Sequence, residues 1–473
     1  MRPVSDVRTR GAERPLGSTP PQSVPPSSGP EPSRRAGEAT RRSPQAGGVD
    51  PRVTPTRYLT AGIPPIGGRL KERPTDFFVE EIPLVQPAGH GDYIYLMVEK
   101  VGLPTMEMAT TIAKHFGVER SAVGLAGLKD KQAVTRQVVS VHAPGRRVEE
   151  IPHLRDPRLR VLWADYHTER LRRGHLAGNR FNIRVRGVEI TAALHAKRVL
   201  SRLAQTGVPN RVGEQRFGFL MNNHLIGRAL YLGDVRSAVD MLLAPHPNSP
   251  EHQVEARRLY AEGDYARASR AFPRHFRTES ILLRYLAKGE EPEEAWARLD
   301  AGIRGFYYSA FQSAVFNAVL DRRLEAGTLA ALLPGDLAFG NTSRELVAID
   351  ESNLHDPELE RLADRLELGP SGPMWGHAMR RAGGQVDQAE VSCLAEFGMR
   401  PADLEHPADE ELDITAGTRR PLRVPITNID VEGGVDEHGS YVRCAFDLPR
   451  GSFATTVMRE VMKPERMELI EEE

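Results

Sequence analysis

Gly178-Asn179-Arg180-Phe181-Asn182-Ile183-Arg184-Val185-Arg186 decides how the rest of the chain is read. Phe181, Ile183 and Val185 alternate with Asn182, Arg184 and Arg186, so one side of an extended segment is apolar and the other basic. A period of two marks a strand lying half-buried on a core. Working outward, residues 190–205 carry helical spacing and end before Gly207. Upstream, Leu159 to Tyr166 and Gln137 to Val141 read as strands. So do Tyr93-Ile94-Tyr95-Leu96-Met97-Val98 and Phe77-Phe78-Val79, rich in β-branched and aromatic residues. Met106 to Phe116 is helical in pattern and stops at Gly117.

Beyond residue 207 the texture changes. Residues 223–330 are nearly all helical in pattern, and Phe311, Val315, Phe316, Val319 and Leu324 mark the buried stripe of a long helix. Strand signals return only with Leu422 to Ile426 and Tyr441 to Phe446. Strands, then helices, then strands predict an α+β domain interrupted by a largely helical insertion, its last strands returning to the first sheet. Residues 1–54, rich in Pro, Ser, Gly and Arg, hold too little apolar surface to offset the entropy of ordering, and a disordered tail is expected there. No internal repeat of fixed period is present.

The 473 residues allow two or three domains, and 40% hydrophobic with 27% charged residues is an ordinary balance for a soluble globular protein. A formal net charge of -1 gives the whole chain no preference for polyanions, so affinity for nucleic acid must come from local patches. Cys393 and Cys444 are too few for a disulfide framework and are read as reduced, buried thiols. No apolar run reaches membrane length and no secretory signal is visible, which places the protein in the cytoplasm. The 15 histidines lack metal-ligand spacing, and no metal is expected. Walker, dinucleotide and nucleophile-elbow motifs are all missing, so no cofactor is expected either.

What remains is a series of dense polar blocks. Lys71-Glu72-Arg73-Pro74-Thr75-Asp76 is a basic loop feeding a strand. In Gly124-Leu125-Ala126-Gly127-Leu128-Lys129-Asp130-Lys131, a carboxylate sits between two lysines, which favour its ionised form. Glycines 124 and 127 would let backbone approach a ligand closely. Alone, this block reads rather as a solvated turn with an ion pair. The window from Leu171 to Arg184 is the most basic of the ordered chain and suits a phosphate backbone, or else an edge strand blunted by charge. Gly213-Glu214-Gln215-Arg216-Phe217-Gly218, Gly417-Thr418-Arg419-Arg420 and Gly451-Ser452-Phe453-Ala454-Thr455 complete the series.

In this order the blocks resemble the TruD family of tRNA pseudouridine synthases over about residues 55–462. Lys71, Pro74, Asp76-Phe77, Val79 and Glu81 look like its first motif, and Ala126 to Gln137 looks like the motif holding its catalytic aspartate. Gly178-Asn179-Arg180-Phe181 looks like its G-N-x-F motif. Two departures stand out: Arg211-Val212 where the family commonly has two aromatics, and Ser371-Gly372-Pro373-Met374 in place of a T-G-P-L pattern. The resemblance implies a catalytic domain with a central mixed or antiparallel sheet, split into residues 55–206 and 421–473 around an insertion at 207–420. It implies a cleft for RNA, a tRNA substrate modified at uridine-13, and no cofactor.

On this resemblance Asp130 is the expected catalytic carboxylate, acting as nucleophile or base on a flipped nucleotide. Lys71 is expected to pair with it, or else to be a surface lysine. Phe181 is expected against the target uracil, although its alternation fits core packing equally well. Asn179 could bond the uracil edge or simply form a turn. Arg180, Arg184, Arg186, Arg216, Lys129 and Lys131 are the expected RNA contacts. No membrane partner and no obligate protein partner is expected. Two other classes fit less well: a non-catalytic RNA-binding protein keeping the fold, which the intact Asp130 motif disfavours, and a metal-dependent RNA hydrolase, which lacks its carboxylate–histidine cluster.

Overall fold

The alternating segment becomes an interior strand of a sheet. The computed structural model describes residues 50, 52–53, 57–150, 154–273 and 275–464. Strands β1 (Phe77–Pro83), β2 (Tyr93–Val101), β3 (Val123–Leu125), β4 (Val134–His142), β5 (Leu159–His167) and β6 (Leu176–Arg186) come first in the chain. Strands β7 (Val208–Pro209), β8 (Leu337–Gly340), β9 (Leu346–Ala348), β10 (Leu368–Met374), β11 (Thr418–Pro421) and β12 (Arg423–Val424) accompany the central region. Strands β13 (Thr427–Asp436) and β14 (Gly439–Pro449) follow. Helices α1 (Thr105–Phe116) and α2 (Ala193–Thr206) belong to the first part, with Gly117 in the left-handed cap at φ 66. Helices α3 (Asn223–Tyr231), α4 (Val235–Leu243), α5 (Glu251–Ala261), α6 (Tyr265–Ala271), α7 (Arg277–Leu286), α8 (Pro292–Ala297), α9 (Ala301–Glu325), α10 (Pro357–Asp364) and α11 (Gly384–Glu396) fill the centre, and α12 (Ala454–Met462) closes the chain.

The 8-stranded sheet runs β13-β14-β6-β1-β4-β2-β5, with β3 added to β4. β1 and β4 are parallel and its other pairs antiparallel, so the sheet is mixed. Register carries side chains across the strands onto common faces. Val79 lies opposite both Thr135 and Phe181, Glu81 opposite Asn179, and Thr135 opposite Lys100. These side chains therefore share one face, the inner one. Glu80, Arg136, Glu99, Arg180 and Arg184 project from the other.

Two apolar clusters cover the inner face. On one half, Ile94, Leu96, Val98, Val139 and Val141 pack under Met108, Ile112 and Phe116 of α1. On the other, Phe77, Val79, Phe181 and Ile183 pack under Val199, Leu200 and Leu203 of α2 and Val457, Met458 and Val461 of α12. Each such side chain contributes about 1.5–3 kcal/mol on burial. Between the clusters the inner face turns polar, with Glu81, Lys100, Thr135, Gln137 and Asn179.

The outer face is held by cross-strand charges: Arg136 to Glu80 and Glu99, and Arg180 to Asp447. At the end of β6, Arg186 is 1% exposed and donates to Asp76 and Asp436.

Three expectations are corrected. Leu422 to Ile426 does not rejoin the first sheet: β12 pairs with β7, so the chain's two crossings are bonded to each other. The strand that returns is β14, as expected at Tyr441 to Phe446, and it brings the unanticipated β13, whose acids and paired glycines gave no strand signal. The central region also carries a sheet of its own, β11-β10-β8-β9. β10, Leu368-Gly-Pro-Ser-Gly-Pro-Met, reads as loop, yet its first half pairs β8 and its second half β11, so few positions need partners on both edges.

The expected tail lies outside the described residues, save that Asp50, Arg52 and Val53 are packed rather than disordered. Val53 is 1% exposed in the helical core, Asp50 meets the buried His224 at 3.0 Å, and Arg52 stacks on Phe397. The Val53 side chain, the Asp50–His224 hydrogen bond and the Arg52 stacking tie down the segment there.

Removing one partner of a buried ion pair leaves uncompensated charge. Asp76→Ala is expected to lower the unfolding free energy by about 3 kcal/mol in urea titration, more than Glu72→Ala on the exposed loop beside it.

Candidate active site

The polar gap in the inner face is capped by the loop between β3 and β4, residues 126–133, and buried side chains hold that loop from below. Lys100 ends the inward row Ile94, Leu96, Val98 and is fully buried. Its Nζ donates to the peptide oxygen of Asp130 at 2.7 Å and approaches that of Lys129 at 3.4 Å. Thr105, at the start of α1, grips the Lys129 backbone twice: its Oγ1 accepts from Lys129 N at 2.9 Å and donates to Lys129 O at 3.1 Å. The backbone on either side of the Asp130 Cα is thereby fixed.

The carboxylate of Asp130 is set from the other direction. Lys71 Nζ donates to its Oδ2 at 3.1 Å, with the ammonium 4.6 Å from the centroid of the Phe77 ring. Lys71 stands at φ 55, a left-handed conformation that a lysine rarely adopts. Such strain persists where surroundings over-determine it, commonly at functional sites. The Lys71 side chain is 10% exposed and that of Asp130 33%. One carboxylate oxygen is thus held, while among the described residues Oδ1 accepts no hydrogen bond.

Beneath, Lys129 points into the protein. Its Nζ lies 3.0 Å from Glu81 Oε2 and donates to Asn179 Oδ1 at 2.8 Å. Burial pushes the Glu81 carboxyl up, and the Lys129 ammonium opposes that push. Among the described residues no group of three or more His, Cys, Asp and Glu could hold a metal ion.

The structure sorts the expected site residues. Asp130, Lys71, Lys129 and Asn179 are brought together, and Lys131 follows in the loop, half-buried. Asn179 lies within β6 rather than in a turn. Lys129 is not exposed to RNA, because its ammonium is needed against Glu81 inside the fold. Arg180, Arg184 and Arg186 are on the outer face, opposite Asp130, and each meets an acid, Asp447 or Asp436. They do not line this site; the pleat that sends Asn179 and Phe181 inward sends the arginines outward.

Phe181 is 6% exposed, with its ring 6.5 Å from Phe77 and 5.5 Å from Phe446. The ring is packed in the core, as its alternation with Ile183 and Val185 also allowed. Gly124 serves packing rather than a ligand, since a Cβ there would sit 2.3 Å from Leu171 O. Arg216 is half-buried against α9, donating to Ser309 Oγ at 3.0 Å.

Lys100, Thr105 and Gln137 were not anticipated. Lys100 carried a readable signal: a charge at an inward position of an otherwise apolar strand. The departures at Arg211-Val212 fall in packing, for Arg211 pairs with Asp321 and Val212 is buried in the helical core.

A family model described as tRNA pseudouridine synthase D (TruD) matches residues 54–461. The chain is 40% identical over 409 residues to a protein named tRNA pseudouridine synthase D from Geobacter metallireducens, covering 86% of this chain and 98% of that protein. It is 34% identical over 421 residues to a protein of the same name from Anaeromyxobacter dehalogenans, covering 89% and 100%. A crystal structure titled as a putative tRNA pseudouridine synthase D from Methanosarcina mazei superposes with a TM-score of 0.75 at 27% identity, covering 89% of this chain and 99% of that one.

Burial pushes the Lys100 ammonium down to about 8, with the Asp130 charge opposing and the Lys129 charge adding to the shift. Because the folded value lies below 10.5, the cost of burying this cation is present in full below about 8 and is relieved as pH climbs toward 10.5. Over that interval the cation beside Asp130 is lost while the group's effect on stability improves. Turnover is expected to fall as pH rises through about 8 without a matching loss of thermal stability. Lys100→Met should remove that alkaline limb. A parent profile that stays level well above that pH would contradict the role given to Lys100.

Proposed function

The chain belongs to the TruD family of tRNA pseudouridine synthases, and from that premise we propose that it converts uridine-13 of tRNA to pseudouridine with Asp130 as the catalytic carboxylate. The observation that carries this reading is the carboxylate itself: held at one oxygen by Lys71, open at the other, on a loop fixed by Lys100 and Thr105. A group presented this way has the orientation and access needed to act on a substrate.

The reaction breaks the C1′–N1 bond of the target nucleotide and joins C5 to C1′. C5 loses a proton and N1 gains one, so atoms and electrons balance within the substrate. Asp130 acts on the ribose or the base, as nucleophile or as base. The target must leave its stack to reach it. Asn179 is fixed as an acceptor toward Lys129, which turns its amide donors outward to a uracil carbonyl. Phe77 and Phe181 form the apolar floor under Lys71, and Lys131 and Arg216 are the remaining expected contacts to phosphate.

Asp130→Asn is expected to lower conversion of a tRNA transcript by roughly 10²–10⁴-fold, read as carbodiimide-dependent primer-extension stops at uridine-13. Thermal stability and tRNA affinity should stay near the parent's. Appreciable turnover in this variant would refute the assignment, and conversion at another uridine would refute the position.

A further inference from the structure

With Arg180, Arg184 and Arg186 on the outer face and Lys129 turned inward, the basic surface for RNA must lie elsewhere. β14 ends with Leu448 opposite Asn179 and Pro449 opposite Gly178. The following turn, Arg450-Gly451, is therefore about two residues, roughly 7 Å, beyond the Asn179 position. Arg420 of β11 reaches this turn from the central region: its Nη2 donates to Gly451 O at 3.0 Å and to Asn210 Oδ1 at 2.7 Å. Its guanidinium lies 5.6 Å from the Phe316 centroid. Arg216 lies 5.0 Å from Phe306, also on α9. Arg450 donates to Gly174 O.

Every acceptor these guanidinium groups use is neutral: backbone oxygens, one amide and one hydroxyl. Among the described residues none of the three, nor the exposed Arg344 in the β8–β9 turn, pairs with a carboxylate. The contrast with Arg419 is direct, since that neighbour is buried and bonds Glu390 at 2.6 and 2.7 Å. The crowding is felt within the group. Burial first, then the charges of Arg216 and Arg344, push Arg420 down to about 10. Burial and Arg450 likewise lower Arg344. Arg216 and Arg420 are half-buried with no counter-charge, which is costly in the free protein, and an anion bound among the four arginines relieves that cost. Planar guanidinium groups steadied by rings and carbonyls suit the forked geometry of phosphate.

We propose that Arg216, Arg420 and Arg450, with Arg344 at the rim, form a phosphate site that holds the RNA backbone beside the flipped nucleotide, bridging the sheet and the inserted region. The site rests on the reading of RNA as the substrate. It positions the nucleotide and takes no part in bond making, so its loss weakens binding more than it slows the chemical step.

The test uses Arg216→Gln, Arg344→Gln and their double variant. Arg420 is left in place, because it also ties Asn210 to Gly451. Affinity for the tRNA transcript is measured by fluorescence anisotropy over a series of potassium chloride concentrations. Each substitution is expected to weaken binding roughly ten-fold at low salt and to reduce the slope of log Kd against log salt by about 1. The single-turnover rate at saturating enzyme should fall less than the affinity does. Slopes equal to the parent's overturn the proposal, whether or not thermal stability falls, because a structural role would leave the count of neutralised phosphates unchanged. Asp130→Asn, run alongside, should keep the parental slope while losing turnover. Failure of the arginine variants with that result leaves the isomerase reading standing, whereas turnover by Asp130→Asn sinks that reading and leaves the phosphate site to be judged by slope alone.

Discussion

A cation buried on the apolar side of a strand fixes where the Asp130 carboxylate stands. Lys100 reaches from β2 to the peptide oxygen of Asp130, and a charge in that position is costly unless it is well bonded. The backbone oxygens of Asp130 and Lys129 give it partners, so the loop and the lysine hold each other in place. Lys129 makes a second buried commitment, to Glu81 and Asn179. Three lysines thus surround one short loop, and only Lys71 touches the carboxylate. The other two build the ground it stands on. This division lets Asp130 stay partly open while its backbone is rigid, which is the preorganisation that a positioned acid or base requires.

The sheet separates chemistry from cohesion by its pleat. The inner face carries two apolar clusters with the polar gap between them. The outer face carries a network linking Glu99, Arg136, Glu80, Arg180 and Asp447 across neighbouring strands. β6 contributes to both at once, Asn179 inward and Arg180 outward. A basic strand therefore need not be an RNA surface, because its charges are answered by acids on nearby strands and turns. The arginines that lack such acids sit instead where β14 ends and β11 arrives.

Much of the sheet was legible because hydrophobic periodicity acts locally. The strands around Phe77, Tyr93, Leu159 and Phe181, the helix before Gly117 and the long helix around Phe311 all follow from side chains that must share one buried face. β10 and β13 were not legible. Prolines, glycines and acids carry no strand signal of their own, and those segments are strands because partners already in place accept their backbone groups. Leu422 to Ile426 was legible as a strand, but its partner, β7, was not.

At the site, sequence alone determined the residue types: an aspartate between lysines after a small-residue turn, a lysine upstream and an asparagine at the start of an alternating strand. Those identities, in their order, were enough to place the chain in its family. Only the tertiary structure decided which neighbour does what, because a string of letters does not say which cation meets the carboxylate. Lys129 turns down to Glu81, while the cation that meets the carboxylate comes from 59 residues away. Direction is a property of the fold. Pleat, register and burial set it, and each depends on contacts between segments that the sequence alone does not bring together.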